Sequence, residues 1–331
     1  MAMPTQPTTL PIIDIGPYLS KDPDDIPKRV AVSAALHTAC VEYGFFYLDI
    51  SSFVPKEVPE GLTDLARTFF YLPQEEKEKI SLRNEDSARG YARLKENVTN
   101  GKADNHEGID FYKPVSNPDK TKPLWGENQW PSVPGFRDKY EQWVDKMKTL
   151  GMIVMEAVQY TRFAEYSLGY PPLPNDYDGF SCGAHKDYGC LTFLHADPTP
   201  SALQVFLRKS NVTQKVDTSN LPAEQGDEEG SWIVANPIPG CVVCNIGEMW
   251  EIWTNGLYRS TLHRVIHRGS NYRIPFFFEP NFDAVVKPLS AALRRQGHSV
   301  PHREGVVYGD FLLAKVGNNF TESDAGSIPD Q

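Results

Sequence analysis

The spacing of apolar positions changes character near the middle of the chain. In the first half, "LPIIDI" alternates as a strand and is closed by Gly16 and Pro17, residues 26–43 repeat with helical spacing, and "GFFYLDI" returns to strand character. "GLTDLARTFFYLPQEEKEKI" predicts a second helix. The polar run from Ser81 to Gly108 lacks periodicity and predicts a long loop carrying short pieces of structure. "PGFRDKYEQWVDKMKTLGMIVMEAVQYTRFAEY" then predicts one long helix. From Tyr170 onward, apolar residues fall in short runs rich in Val, Ile, Phe and Cys, cut by Gly, Pro and Asn, the marks of an all-β sandwich or barrel. Residues 208–230 are acidic and poor in apolar side chains, a surface insertion between strands. No internal repeat is present.

Composition narrows the function. With 331 residues, 40% of them apolar, the chain can bury a substantial core as one large domain or two small ones. A formal net charge of -10 and a pI near 5.3 repel polyanions, which argues against a nucleic-acid partner. The N-terminus lacks the pattern of a secretory signal, and no window approaches the roughly 18 apolar residues of a spanning helix, so no membrane partner and a cytosolic location are expected. The five cysteines, an odd number spread through a large chain, suit reduced thiols. Cys241 and Cys244 fall in the strand-like "GCVVCNI", where positions three apart face opposite sides, so buried thiols fit better than a metal or redox pair. The "NVT" runs at Asn97 and Asn211 match the glycosylation pattern by coincidence when no signal precedes them. Oligomeric state is left open.

The candidate chemistry lies in "SCGAHKDYGCLTFL". On a strand, His185 and Asp187 share one face and Lys186 points away. An imidazole and a carboxylate on the inner face of an apolar strand are costly to bury unless something satisfies both, and a divalent metal does so. His263, in "NGLYRSTLHRVIHRGSNYRIPFFF", is the candidate third ligand. Two histidines and one carboxylate form a facial triad with open positions, a set that favours non-haem Fe(II) and O2. Arg273 follows ten residues after His263. A hairpin turning near residues 269–271 would set Arg273 opposite residues 266–268, roughly 10 to 13 Å from His263 between backbones. A small dicarboxylate chelating the metal could then meet the guanidinium fork, a geometry that accommodates 2-oxoglutarate. The remaining histidines (His37, His106, His195, His267, His298 and His302) are taken as hydrogen-bonded core residues and not ligands, and Arg264 as a structural ion pair or solvent-facing group.

With these residues in place, the chain resembles the isopenicillin N synthase-like family of 2-oxoglutarate- and Fe(II)-dependent dioxygenases. The resemblance also rests on "LPIIDI", "EYGFFYL", "FFYLPQEEK", "GYPPLP", "NPIPGCVVCNIGEMWEIWTNGLYRSTLHRV" and "RIPFFFEPNFDAVVKPL", in one order over most of residues 10–290. It implies a mainly β fold, a double-stranded β-helix or jelly roll with flanking helices: an N-terminal region over 10–125, a core over 165–285 and a C-terminal extension over 286–331. It implies His185, Asp187 and His263 as iron ligands, Arg273 on the distal carboxylate of 2-oxoglutarate, and Tyr170 assisting. Fe(II), 2-oxoglutarate and O2 would oxidise a small organic molecule, possible outcomes being hydroxylation, desaturation or ring closure, with release of succinate. Tyr91, Arg93 and Phe111 correspond to a pocket rim in relatives, while "WEIW" and "PFFF" correspond to barrel core whose inward members, Trp250 or Phe277, could line the pocket. Two departures stand out. The family's R-x-S is Arg273-Ile274-Pro275 here, and the segment before Tyr170 is short. A 2-oxoglutarate-independent oxidase or a catalytically impaired metal-binding jelly roll are the alternatives these departures leave open.

Overall fold

A computed structural model of the chain describes residues 9–99, 102–158, 168–169, 180–208, 230–268, 271–296 and 303–316. The N-terminal part contains β1 (Ile12–Asp14), α1 (Gly16–Leu19), α2 (Ile26–Glu42), β2 (Phe45–Asp49), α3 (Glu57–Phe70), α4 (Gln74–Lys77), β3 (Gly90–Ala92), β4 (Val98–Thr99), β5 (Lys102–Ala103), β6 (Gly108–Asp110) and α5 (Phe136–Ala157). Then come β7 (Leu168–Gly169), β8 (Phe180–His185), β9 (Leu191–Ala196), β10 (Leu203–Arg208), β11 (Gly230–Val234), β12 (Cys241–Ile246), α6 (Glu248–Trp253), β13 (His263–Ile266) and β14 (Arg273–Phe278). A C-terminal group of β15 (Val285–Val286), α7 (Ser290–Gln296), β16 (Val306–Val307) and α8 (Tyr308–Val316) completes the described residues.

The helices follow the apolar periodicity. Proline in the first turn starts α2, which buries Val32, Leu36, Ala39 and Cys40 on one face. The second predicted helix divides, because Pro73 has no N–H to donate and biases Leu72 away from helical backbone; α3 ends at Phe70 and α4 restarts at Gln74. The long helix α5 runs to Ala157, and its predicted continuation over 159–166 lies outside the described residues, as does the insertion over 209–229.

Two sheets face each other. Among the described residues, the larger has eight strands in the order β1-β2-β12-β9-β14-β7-β6-β3, and the smaller has four in the order β11-β10-β13-β8. Between them sit Phe45, Tyr47, Leu203, Val205, Ile233, Val243 and Val265, the inward positions of both sheets. The other face of the large sheet, with Phe46, Leu48, Phe193, Cys244, Ile274 and Phe276, packs against α2, α3 and α5. This is the expected jelly roll with helices on its outside. It also separates Cys241, which packs toward the barrel interior, from Cys244, buried on the helical side; all five thiols are free.

The hairpin between β13 and β14 does not form. β13 pairs with β8 and β10 in the small sheet, whereas β14 pairs with β9 and β7 in the large one. The chain therefore crosses between sheets near Asn271, and Arg273 reaches the site from the opposite wall of the barrel.

Candidate metal and co-substrate site

His185 closes β8 and His263 opens β13, and the two residues are directly paired across the strands. Between that pair and Val265–Cys182, β8 spends one residue more than β13. This is a bulge, and it turns His185 onto the inner face already occupied by Cys182, whose Sγ lies 3.5 Å from His185 Nδ1. Asp187 is not on the strand, as simple alternation would have it. The backbone leaves the sheet after His185 because the first amides of α6 take its carbonyls: Glu248 N–H donates to Asp187 O (2.9 Å), Gly247 N–H to Cys190 O (2.9 Å) and Met249 N–H to Gly189 O (3.0 Å). The approach is so close that a Cβ on Gly247 would stand 2.2 Å from the Gly189 carbonyl oxygen.

The three side chains converge, with one ligand atom from each lying within 4.8 Å of the others. Asp187 Oδ1 is 3.5 Å from Nε2 of both His185 and His263. Each imidazole donates its other nitrogen to a backbone carbonyl, His185 Nδ1 to Gly183 O at 2.8 Å and His263 Nδ1 to Thr261 O at 3.1 Å. That arrangement orients both rings and leaves each Nε2, the atom a metal would take, facing the carboxylate. The far carboxylate oxygen, Oδ2, accepts from the Thr192 hydroxyl and from Asn245 Nδ2 (2.6 Å), so Oδ1 is the oxygen presented to a cation. The donor set fits a divalent metal: two imidazole nitrogens and one carboxylate oxygen, each side chain oriented by a hydrogen bond on its other polar atom.

Electrostatics agree. Burial alone would raise Asp187, but the imidazoles of His263 and His185 overcome it and hold the carboxyl well below its usual range. Burial likewise disfavours charge on His185, and the neighbouring Cys182 thiol and Asp187 carboxylate outweigh it, holding the imidazole well above its usual range. A cation binding here displaces that proton.

From the triad, the inner face of the large sheet leads to Arg273. Along β14, Arg273, Pro275 and Phe277 alternate with Ile274, Phe276 and Phe278, which belong to the helical side, so the first three face the barrel. Phe277 pairs with Thr192 at the metal end, Pro275 with Leu194, and Arg273 with Ala196. The four-residue step from Thr192 to Ala196 corresponds to about 13 Å. Arg273 is buried, shares a small cavity with Tyr47, Leu194, Ala196 and Val243, and its side chain contacts Asn271.

The other expected residues are scattered. Tyr170 lies outside the described residues. Tyr91 and Phe111 are fully buried in the helical core, Tyr91 donating to Glu107 and Phe111 stacking on Trp130 with a 4.6 Å centroid separation. Arg93 pairs with Glu78 near the surface (2.7 Å). Trp250 is on helix α6 and buried against Tyr258, so "WEIW" is helix and not barrel strand. Phe277 is half-buried on the inner face. Arg264 is buried and not solvent-facing, its guanidinium 3.8 Å from the Trp232 ring centroid, with Nε donating to Gln204. Sequence reasoning missed Thr192 and Asn245. Asn245, a polar residue inside the apolar run "CVVCNI", was the available signal.

Fold and site together define a jelly-roll oxygenase of the non-haem iron class. The comparisons with known proteins are specific. Residues 10–133 match the family profile described as the N-terminal region of non-haem dioxygenases in morphine synthesis, and residues 156–280 match the 2OG-Fe(II) oxygenase superfamily. A homoarginine-6-hydroxylase from Arabidopsis thaliana is 37% identical, covering 96% of this chain and 99% of its own, and one from Glycine max is 36% identical, covering 97% and 100%. The crystal structure of a 2OG-Fe(II) oxygenase family protein from Caulobacter crescentus superposes with a TM-score of 0.72 at 23% identity, over 93% of this chain and 98% of that one. The chain belongs to the 2OG-Fe(II) oxygenase superfamily. It is a 2-oxoglutarate-dependent dioxygenase that uses Fe(II), 2-oxoglutarate and O2 to oxidise a small molecule. No helix among the described residues is long and apolar enough to cross a membrane.

Proposed function

We propose that this dioxygenase hydroxylates a basic amino acid of the homoarginine class, with His185, Asp187 and His263 holding the iron and Arg273 holding the distal carboxylate of 2-oxoglutarate. The observation that carries the substrate assignment is the agreement among curated relatives: four proteins, 36 or 37% identical over at least 94% of this chain, are all homoarginine-6-hydroxylases. The net charge of -10 supports a cationic substrate, since an acidic protein raises the encounter rate of cations. Free thiols throughout the chain support a reducing, cytosolic setting.

When bound, iron with 2-oxoglutarate and O2 supplies the oxidising power that puts a hydroxyl on a C–H bond while the co-substrate becomes succinate. The protein's own groups do the arranging. His185 and His263 offer fixed Nε2 lone pairs, Thr192 and Asn245 keep Asp187 turned so that one oxygen alone faces the cation, and the buried Arg273 offers a planar fork to a carboxylate at the far end of the barrel. Apolar walls from Phe45, Leu194, Val243 and Phe277 keep bulk water from the space between.

The test is succinate release from Fe(II)-loaded protein supplied with 2-oxoglutarate and a panel of homoarginine, arginine, lysine and their uncharged analogues. Homoarginine should stimulate succinate release at least tenfold over the uncharged analogues and gain one oxygen atom by mass. Stimulation by the uncharged analogues alone would refute the substrate class. His263→Ala should abolish iron retention, and retention at the wild-type level would refute the ligand set.

A further inference from the structure

β8 carries the proposed ligand His185 and, among the described residues, stands at one edge of its sheet. Its pairing with β13 shifts register twice, so that Gly183, in the bulge that turns His185 inward, and Ser181, in the next, fall outside the matched positions. Among the described residues, the β4–β5 hairpin and the residues after it supply hydrogen-bond partners on that edge. Asp104 Oδ1 accepts from Gly183 N–H at 3.0 Å, His106 Nδ1 donates to Ser181 O, and Asn105 N–H donates to Phe180 O at 3.2 Å. The clasp is itself braced. Thr99 Oγ1 donates to Asp104 Oδ2 at 2.7 Å, Asn97 Nδ2 lies 3.0 Å from His106 Nε2, and Asp104 N–H donates to Asn97 O at 2.9 Å. Asp104 and His106 are both about 4% exposed, so neither is a surface group that happens to touch the strand. Gly183 is small for this contact: a Cβ there would meet Thr99 Cγ2 at 3.1 Å.

Gly183 ties the clasp to the metal centre. Its N–H is held by Asp104 and its carbonyl takes the Nδ1 proton of His185. The position of this one residue therefore sets both the bulge and the orientation of the imidazole. We propose that Asp104 and His106 are positioning residues for the metal site: by bonding the backbone of β8 at Gly183 and Ser181, they hold the bulge at Gly183 in the form that aims His185 Nε2 at the cation. This rests on the reading of His185 as a metal ligand. A bulge next to a functional residue is a common means of re-aiming a side chain, and partners one step beyond the ligands commonly govern metal affinity by 10- to 100-fold.

The experiment is Co(II) titration of the full chain, followed by ligand-field absorption, with thermal melting of each variant by circular dichroism in parallel. Asp104→Ala should bind Co(II) about 10- to 100-fold more weakly than wild type and show an altered ligand-field spectrum. Asp104→Asn should restore most of the affinity, because an amide oxygen still accepts from Gly183 N–H while its NH2 group can donate to Thr99. His106→Phe, which keeps the ring but cannot donate to the Ser181 carbonyl, should weaken binding similarly, and it decides the matter if Asp104→Ala does not fold. Wild-type affinity and spectrum in a folded Asp104→Ala, or in His106→Phe, would overturn the proposal. Equal loss in Asp104→Asn and Asp104→Ala would also overturn it, since the accepting oxygen would then be irrelevant. Failure of the wild type itself to bind Co(II) would instead sink the ligand assignment on which the proposal rests.

Discussion

Position 275 offers a gain-of-function test of where the co-substrate lies. Pro275 sits on the inner face of β14 between Arg273 and Phe277, opposite Leu194, on the line that runs from the metal end of the barrel to the guanidinium. A 2-oxoglutarate spanning that line passes the proline ring, which offers it neither a hydroxyl nor an N–H. Pro275→Ser places a hydroxyl two residues from Arg273 on the same face, within reach of the carboxylate the arginine binds. One added hydrogen bond contributes about 0.5 to 1.5 kcal/mol, so the KM for 2-oxoglutarate should fall by about 2- to 13-fold. Because the contact is made equally before and during the reaction, kcat should stay within about twofold. Removing a proline also loosens the unfolded chain, at a cost to stability of about 0.4 to 1 kcal/mol, which a thermal melt will register separately. The assay is initial-rate succinate release against 2-oxoglutarate concentration with the second substrate saturating. An unchanged or raised KM in a variant that melts cooperatively would mean that the carboxylate does not lie beside residue 275, and the placement of Arg273 as its partner would fall with it.

Two further outcomes are expected. Asn245→Ala removes the 2.6 Å amide contact to Asp187 Oδ2, frees the carboxylate to rotate, and should weaken Co(II) or Fe(II) binding by about 10- to 100-fold; an unchanged dissociation constant would show that Thr192 alone suffices. His106 and His195 are buried with pKa values pushed down to about 4 by desolvation, so between pH 6.5 and 4 the unfolded chain takes up protons that the native chain refuses. Their contribution is complete above about pH 6.5 and is lost as pH falls toward 4, by about 3 kcal/mol for His106, and urea midpoints that stay flat from pH 7 to 4.5 would refute it.

The sequence by itself determined the parts whose signal is local. Alternation in "CVVCNI" and "RIPFFF" marked strands β12 and β14, periodicity marked α2, α3 and α5, and the pairing of His185 with Asp187 announced a metal because a buried imidazole and carboxylate need one. Tertiary structure decided what depends on which strand lies beside which. Local spacing suggested a hairpin between His263 and Arg273, but the two residues stand on opposite sheets, because strand order is set by packing across the barrel. Asp187 reaches the cluster through a turn tied down by the amides of α6, some sixty residues later in the chain, and His185 through a bulge that alternation cannot anticipate. Asp104 carried no signal in a polar, aperiodic stretch, and His106 was legible only as a buried, hydrogen-bonded histidine. Their contacts form only because β8 is an edge strand among the described residues and its Gly183 N–H and Ser181 carbonyl find partners distant in sequence.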